Sequence, residues 1–269
     1  MTSTPIDQQN QASILFRKGD PNFMNSLARG IAVLSAFSDN STGLKMTHLS
    51  DRTGLSRAVV RRCLYTLEQL GYVRKSTDGF HLEPKVISLS QTYFSASPLT
   101  TQAQEFLDRV KDATGESCSL AMLDEDEVVY VARSAAKKVI DLTLGIGSRL
   151  PTYCSSLGRV LLADYDDEDI LSRLKDMDRV KRTKYTKTEI NELLEVIRES
   201  RYSGYSLVNQ ELEIGLRSIS VPVRNQNQRV IAAMTVGVQA MQTPQRTMET
   251  EILPILRSAS KELGSQLIC

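Results

Sequence analysis

Leu27, Ile31, Leu34 and Phe37 recur at helical spacing after a polar Asn25-Ser26 start. They predict an amphipathic helix with those four side chains in a core. A polar stretch over 38–43 separates it from a denser pattern. Residues 47–52 predict a short helix with Thr47 as its N-cap. Thr53-Gly54-Leu55 predicts a tight turn in which Gly54 takes the left-handed backbone that other residues resist. Ser56 then caps a helix whose Val60, Leu64, Leu67 and Leu70 point inward, with Cys63 alongside. Residues 72–75 and 80–82 flank Ser76-Thr77-Asp78-Gly79, and Asp-Gly between such runs is a hairpin signal. Three helices and a hairpin make a winged helix-turn-helix over 23–83, whose second paired helix would enter a DNA major groove.

The remainder alternates between the two periods. A linker helix is expected within 84–97, with Val86, Leu89 and Tyr93 on one side, ending before Pro98. Another helix follows over 99–114, stopped by Gly115. Strands are expected at 117–123, 128–133, 139–144, 205–211, 217–224 and 230–238. Helices are expected from Ser155 or Ser156 to Ala163, over 166–174, and over 187–202 with Thr186 or Thr188 as cap. A last helix begins at Thr243-Pro244, with Pro at its first position, and runs to about residue 267. Residues 98–269 therefore form an α+β domain with a core of its own. Residues 1–22 read as a disordered polar arm.

Composition narrows the class. Of 269 residues 41% are hydrophobic and 24% charged, which suits a globular protein. Net charge is +1 but unevenly spread. Between Ser26 and Leu82 there are eight Lys/Arg (Arg29, Lys45, Arg52, Arg57, Arg61, Arg62, Arg74, Lys75) and four acids (Asp39, Asp51, Glu68, Asp78). A basic module on a slightly acidic body fits a DNA reader with a second task. The four cysteines are scattered, and no signal peptide or long apolar run is evident, so a reducing cytoplasmic setting without a membrane segment is expected. The run Asp124-Glu125-Asp126-Glu127 reads as a solvated hairpin tip rather than a metal site.

Arg57, Arg61 and Tyr65 fall at i, i+4 and i+8 on the second helix, flanked by Ala58 and Arg62. Guanidinium groups pair with phosphate or reach guanine bidentately, and a small Ala lets the backbone approach. Arg74 and Lys75 on the hairpin are expected at phosphates. Thr47 and Ser56, at the two helix starts, complete the expected DNA-contacting set.

GIGSRLPTYCSSLGRVLLA (145–163) and ELEIGLRSISVPVRNQNQRVIAAMTV (211–236), together with the helix-turn-helix and the linker helix, resemble the IclR family of bacterial transcription regulators. RLPTYCSSLGRVLLA is similar to the branch that senses protocatechuate and p-hydroxybenzoate. The resemblance implies a winged helix-turn-helix, a linker helix and a GAF-like effector-binding domain with a central antiparallel sheet. It further implies homodimers that pair into tetramers, double-stranded operator DNA as partner, and contact with RNA polymerase if the protein is an activator of aromatic catabolism.

An aromatic acid needs a cation, an apolar slot and hydroxyl partners. Arg149 and Arg133 are the expected cations, and the helix start near Ser155 offers free N–H groups. Gly147, Thr152, Tyr153, Ser155 and Ser156 would shape the loop around it. The resemblance adds Leu120, Met122, Ser218, Ser220 and Met234 as lining residues. Each has a plainer alternative: Arg149 paired with an acid such as Asp141, Ser155 as a helix cap, Met122 and Met234 as core filler. An enzyme is the weaker reading. His48 and His81 lie in the DNA-binding part, no G-x-S-x-G, Walker or H-E-x-x-H motif occurs, and no catalytic, metal or cofactor residues are assigned. A large domain serving oligomerisation without a ligand is the other alternative.

Overall fold

Val33, Ala36, Leu49, Leu55, Val60, Leu64, Leu67 and Val73 meet in one small core that holds the N-terminal helices together. The computed structural model describes residues 20–37, 43–136 and 144–267, and the chain divides after Ala96 into two units. Most of the expected arm, residues 1–19, lies outside the described residues.

In the first unit α1 (Asn25–Ser35), α2 (Met46–Thr53) and α3 (Arg57–Gln69) precede a hairpin of β1 (Val73–Lys75) and β2 (Phe80–Leu82). Gly54 ends α2 at φ 66°, the left-handed turn between the paired helices. Leu44 bridges to Phe80 and gives the hairpin a third short edge. Four local expectations need correction. Leu27 and Ile31 are 58% and 53% exposed, because Ala32 and Val33 are the buried positions of α1, followed by Ala36 at its C-cap. Thr47 is not a cap: α2 starts a residue earlier, after Lys45. Ser56 holds the N-cap position of α3 in extended backbone but makes no side-chain cap bond. Leu70 is half exposed because the helix ends at Gln69 and the chain turns away. A tight turn at Pro84–Val86 then leads into α4 (Ile87–Ala96), whose Ile87, Leu89 and Tyr93 are all exposed.

The second unit is an antiparallel six-stranded sheet with helices on both faces. β3 (Cys118–Asp124), β4 (Glu127–Ser134), β5 (Arg149–Pro151), β6 (Ser206–Asn209), β7 (Leu216–Arg224) and β8 (Val230–Gln239) lie in the order β5-β4-β3-β8-β7-β6. One face packs on α5 (Pro98–Thr114) and α10 (Leu253–Ser265): Leu120, Met234, Val236, Ile219 and Val221 meet Phe106, Leu107, Leu256 and Leu263. Between α9 (Gln245–Thr247) and α10 the helix widens into a π-turn over Met248–Ile252, just before Pro254, which has no N–H to give. Pro244 stands at the N-cap of α9 rather than at its first helical position.

The other face receives α6 (Ser156–Leu162), buried along its whole length. Leu157, Val160 and Leu161 rest on Ala121, Ala233, Tyr130 and Leu150. The back of α6 packs with Tyr153 and Cys154 against α7 (Asp167–Asp176) and α8 (Ile190–Ser203). Glu189, not Thr186 or Thr188, occupies the cap position of α8. Gly158 explains how closely α6 sits: a Cβ there would stand 2.2 Å from Thr152 Cα. The strand expected at 139–144 falls largely outside the described residues, and the edge strand beside β4 is β5, in a stretch read as loop.

Candidate functional site

Two surfaces carry chemistry, one in each unit. On α3, Val60, Leu64 and Leu67 are buried while Arg57, Ala58, Arg61, Arg62 and Tyr65 are exposed, as a 3.6-residue period requires. Arg52 of α2 is drawn inward instead, its Nη1 donating to Ala36 O at 2.9 Å. Arg74 is exposed but shares its charge with Glu83 at 3.0 Å, whereas Lys75 next to it faces solvent. Thr47 is half-buried near the start of α2, and Ser56 is exposed at the start of α3. The hairpin tip is tied down by Asp78, which bonds His81 Nε2 at 2.9 Å and accepts from Gly43 N at 3.3 Å. The bond from His81 outweighs the opposing effect of burial and, with a lesser contribution from Gly43, holds the Asp78 carboxyl down at about 2.

In the second unit a cavity of about 320 Å³ opens between the sheet and the start of α6. Its floor is polar because strand alternation sends the hydroxyl-bearing side chains to this face and the large apolar ones to the helices. Register builds the floor row by row. Ser119 opposes Arg133 on β4 and Thr235 on β8, Thr235 opposes Ser220 on β7, and Gly237 opposes Ser218. Leu144, Leu150, Leu157, Leu212 and Ile214 supply apolar walls, with Tyr130 between them and Arg133. Burial pushes the Tyr130 hydroxyl up to about 12, against the pull of Arg133, so it stays a neutral hydrogen-bonding group. Arg133 is the cation among the described lining residues, while Glu116 and Glu213 add carboxylates.

The expected effector residues divide by which way they face. Arg133, Ser155, Ser156 and Ser218 line the cavity. Ser155 caps α6, accepting from Gly158 N at 3.2 Å and donating to Pro151 O at 2.8 Å. Ser156 bridges Ser218 Oγ at 2.8 Å and Ser220 Oγ at 2.7 Å, which ties Ser220 to the floor from just behind it. Arg149 is a correction. Its neighbour Leu150 faces the cavity, so Arg149 faces away and pairs with Asp124 at 2.8 Å and Glu127 at 2.6 Å. The acidic hairpin tip is thus a pairing surface, not a bare solvated turn, since Arg173 also reaches Asp126 at 3.4 Å. Leu120, Met122 and Met234 are corrected for the same reason of alternation: they belong to the helix-packed face. Thr152 turns to Asp126 O at 2.9 Å, and Tyr153 to Val180 O at 2.6 Å within the α7–α8 core. Gly147 turns the chain at φ 87° and donates to Tyr130 O at 2.8 Å, behind the wall rather than in it.

Sequence reasoning missed Ser119, Tyr130, Thr235 and Gly237, although the alternation in Ser117-Cys118-Ser119 was a usable signal. It also missed a buried ion pair. Arg159 on α6 meets Glu211 in a fork, Nη1 to Oε1 at 2.8 Å and Nη2 to Oε2 at 2.7 Å, with 2% and 7% of the side chains exposed. Arg159 Nε donates to Tyr153 O at 3.1 Å and Lys187 N donates to Glu211 at 3.0 Å, so the pair is saturated. It anchors the start of the segment from Leu212 to Leu216 that walls the cavity.

Comparison with known proteins covers both units. Residues 26–77 match the IclR helix-turn-helix domain, and residues 91–265 match the bacterial transcriptional regulator IclR C-terminal domain. The Pca regulon regulatory protein of Pseudomonas putida is 42% identical, over 93% of this chain and 86% of its own. The p-hydroxybenzoate hydroxylase transcriptional activator of Acinetobacter baylyi is 35% identical, over 90% and 91%. The solved PobR inducer binding domain from Acinetobacter, a double mutant in complex with 3-hydroxybenzoic acid, aligns with TM-score 0.60 at 32% identity, over 64% of this chain and all of that one.

Proposed function

Because the chain belongs to the IclR family of bacterial transcriptional regulators, we propose that it binds operator DNA through α3 and responds to a small hydroxylated aromatic acid held in the sheet-floored cavity. The observation that carries the ligand class is the placement of Arg133 at one end of a row of hydroxyls, beneath leucine walls. A carboxylate takes the cation, a flat ring takes the walls, and ring hydroxyls take the polar floor. The relatives' names, which speak of p-hydroxybenzoate hydroxylase and of 3-hydroxybenzoic acid, support the same class.

On the DNA side, Arg57, Arg61 and Arg62 with Tyr65 face the major groove, and Lys75 with Arg74 meets phosphate. Two such heads read a near-palindromic operator. The exposed Leu27 and Ile31 of α1 and Ile87, Leu89 and Tyr93 of α4 support a homodimer built on the N-terminal unit, with tetramers as a further step. Ligand binding would shift the effector unit and, through the connecting α4, reset the spacing of paired recognition helices. Activation would add contact with RNA polymerase. No helix among the described residues is long and apolar enough to cross a membrane, and the site of action is the cytoplasm, with the DNA.

The chain acts as a regulator rather than an enzyme. At the cavity Ser155 is engaged as a cap and Ser156 as a bridge, and burial pushes the Cys154 thiol up to about 11, far from a reactive thiolate. Calorimetric titration with protocatechuate and p-hydroxybenzoate tests the reading. Arg133→Met should cost about tenfold to a hundredfold in affinity, the worth of a charge-assisted hydrogen bond. Arg149→Ala should leave affinity near wild type. Loss in Arg149→Ala with Arg133→Met unchanged would reverse the assignment. A wild type that binds no aromatic acid, and gains none of the roughly 2.7 kcal/mol that a ligand at a hundred times its dissociation constant confers, would leave an oligomerisation module.

A further inference from the structure

Among the described residues of the cavity floor, Ser119 carries a hydroxyl that no protein group engages and Gly237 carries no side chain at all. Ser117 Oγ accepts from Ala136 N at 3.0 Å, Thr235 Oγ1 donates to Ile219 O at 3.0 Å, and Ser156 joins Ser218 and Ser220. Ser119 is different. It is 4% exposed, lines the cavity, and its Oγ makes no hydrogen bond among the described residues. A hydroxyl that no protein group engages and that opens onto a cavity floor is free to bond an atom of a guest. Its cross-strand neighbour on that floor is Arg133, and directly opposed residues hold their Cβ atoms about 5 Å apart. A carboxylate bonded to the guanidinium therefore comes within reach of Ser119 Oγ.

Gly237 lies two residues beyond Thr235 on the same face of β8, opposite Ser218. A glycine in a strand interior sacrifices packing and backbone entropy, and often marks the close approach of another molecule. Its backbone does not demand glycine, because Gly237 does not take a positive φ. Nor does crowding: a Cβ there would meet Leu216 Cδ1 at 3.7 Å, an ordinary contact, and nothing closer. The missing side chain is space, and that space belongs to the cavity.

We infer that Ser119 and Gly237 select the effector, Ser119 as the second donor to its carboxylate beside Arg133 and Gly237 as the open floor on which its ring lies. The inference rests on the aromatic-acid reading above but assigns two residues that the reading does not need. It predicts a division of labour. Ser119→Ala should weaken p-hydroxybenzoate binding about tenfold while leaving p-hydroxybenzamide, which has no carboxylate, within about twofold. Gly237→Ala should weaken both ring compounds about tenfold or more, and Gly237→Val should abolish binding of both. Shortening the neighbouring Leu216 in Gly237→Ala/Leu216→Ala should restore at least part of the affinity lost in Gly237→Ala.

The experiment is calorimetric titration of the full-length protein and these variants with both compounds, with operator binding and melting temperature measured unliganded as controls for folding. If wild type binds p-hydroxybenzoate and the Gly237→Ala variant, folded and bound to operator, binds it equally well, the ring assignment is overturned while the effector reading stands. Equal losses of acid and amide in Ser119→Ala overturn the carboxylate assignment. Should Gly237→Ala fail to fold, a folded Gly237→Ala/Leu216→Ala variant that binds p-hydroxybenzoate as tightly as wild type, with Leu216→Ala alone binding no tighter than wild type, overturns the ring assignment instead. A wild type that binds neither compound overturns this inference together with the reading beneath it.

Discussion

The two units place their polar chemistry on opposite sides of the hydrophobic boundary. On α3 of the N-terminal unit, the arginines point away from the core into solvent, where a polyanion can reach them. On the sheet of the C-terminal unit, Ser119, Thr235 and Ser220 point into the interior, and α6 closes over them. Long-range attraction suits the first arrangement, since counterion release rewards exposed cations on DNA. The second suits a small guest that must shed its water, because hydrogen bonds count for more where the dielectric is low. On the proposed reading, one chain thus separates a salt-sensitive, solvent-facing reader from a desolvated sensor.

The sharpest way to break that contrast is to damage the sensor's interior while sparing the reader. Arg159→Ala should cost the second unit about 3–5 kcal/mol, because Glu211 is left as an uncompensated buried charge. The expected result is a large drop in unfolding temperature with much effector affinity lost. Replacing both partners, Arg159→Met with Glu211→Leu, should recover much of the stability, since an apolar pair of similar volume is tolerated where a lone charge is not. A single variant that melts like wild type would show the pair to be unimportant.

A middle-sized effect is expected on the reader. Arg61→Ala should weaken operator binding by about 1–3 kcal/mol if the guanidinium contacts a base, or lower the slope of log affinity against log salt by about one if it contacts phosphate. Fluorescence anisotropy at several salt concentrations separates these. Effector affinity should not change, and an intact salt slope with intact affinity would take Arg61 off the DNA.

The smallest effect concerns the wing. Asp78 is held down at about 2 by His81 and Gly43, below the ordinary carboxylate value of the unfolded chain. Its contribution to the wing is therefore fully present above about pH 4, where the carboxylate is ionised in both states, and is lost as pH falls toward 2. Because the group is exposed, the loss is local. The protection of the Gly43 amide relative to its intrinsic exchange rate should fall over that acid range and should already be low in Asp78→Ala at neutral pH. Indifference of Gly43 exchange to either change would remove Asp78 from the hairpin's support.

Helical and turn features of the first unit were legible because their signals are local. Gly54, the spacing of Val60, Leu64 and Leu67, and the Asp78-Gly79 hairpin each act within a few residues. The exposure of Leu27 and Ile31 was not legible, since a helix with apolar residues on two sides does not say which side its own chain will cover. In the second unit the existence of most strands could be read, but their facing could not. Leu120 and Ser119 are adjacent in sequence, and a one-residue choice of phase sends one to the helices and the other to the cavity. Arg149 was misplaced by the same ambiguity, compounded by reading β5 as loop.

What the amino-acid order determined by itself was the type and succession of elements, the basic character of α3 and the family to which the chain belongs, because periodicity, turn residues and short motifs are properties of neighbouring positions. What the tertiary structure alone decided was the composition of the cavity and the partnership of Arg159 with Glu211. Arg133 meets Ser119 across fourteen positions, Ser220 meets Ser156 across sixty-four, and Arg159 meets Glu211 across fifty-two. Strand register and the burial of α6 set those meetings, and neither is written in any local window.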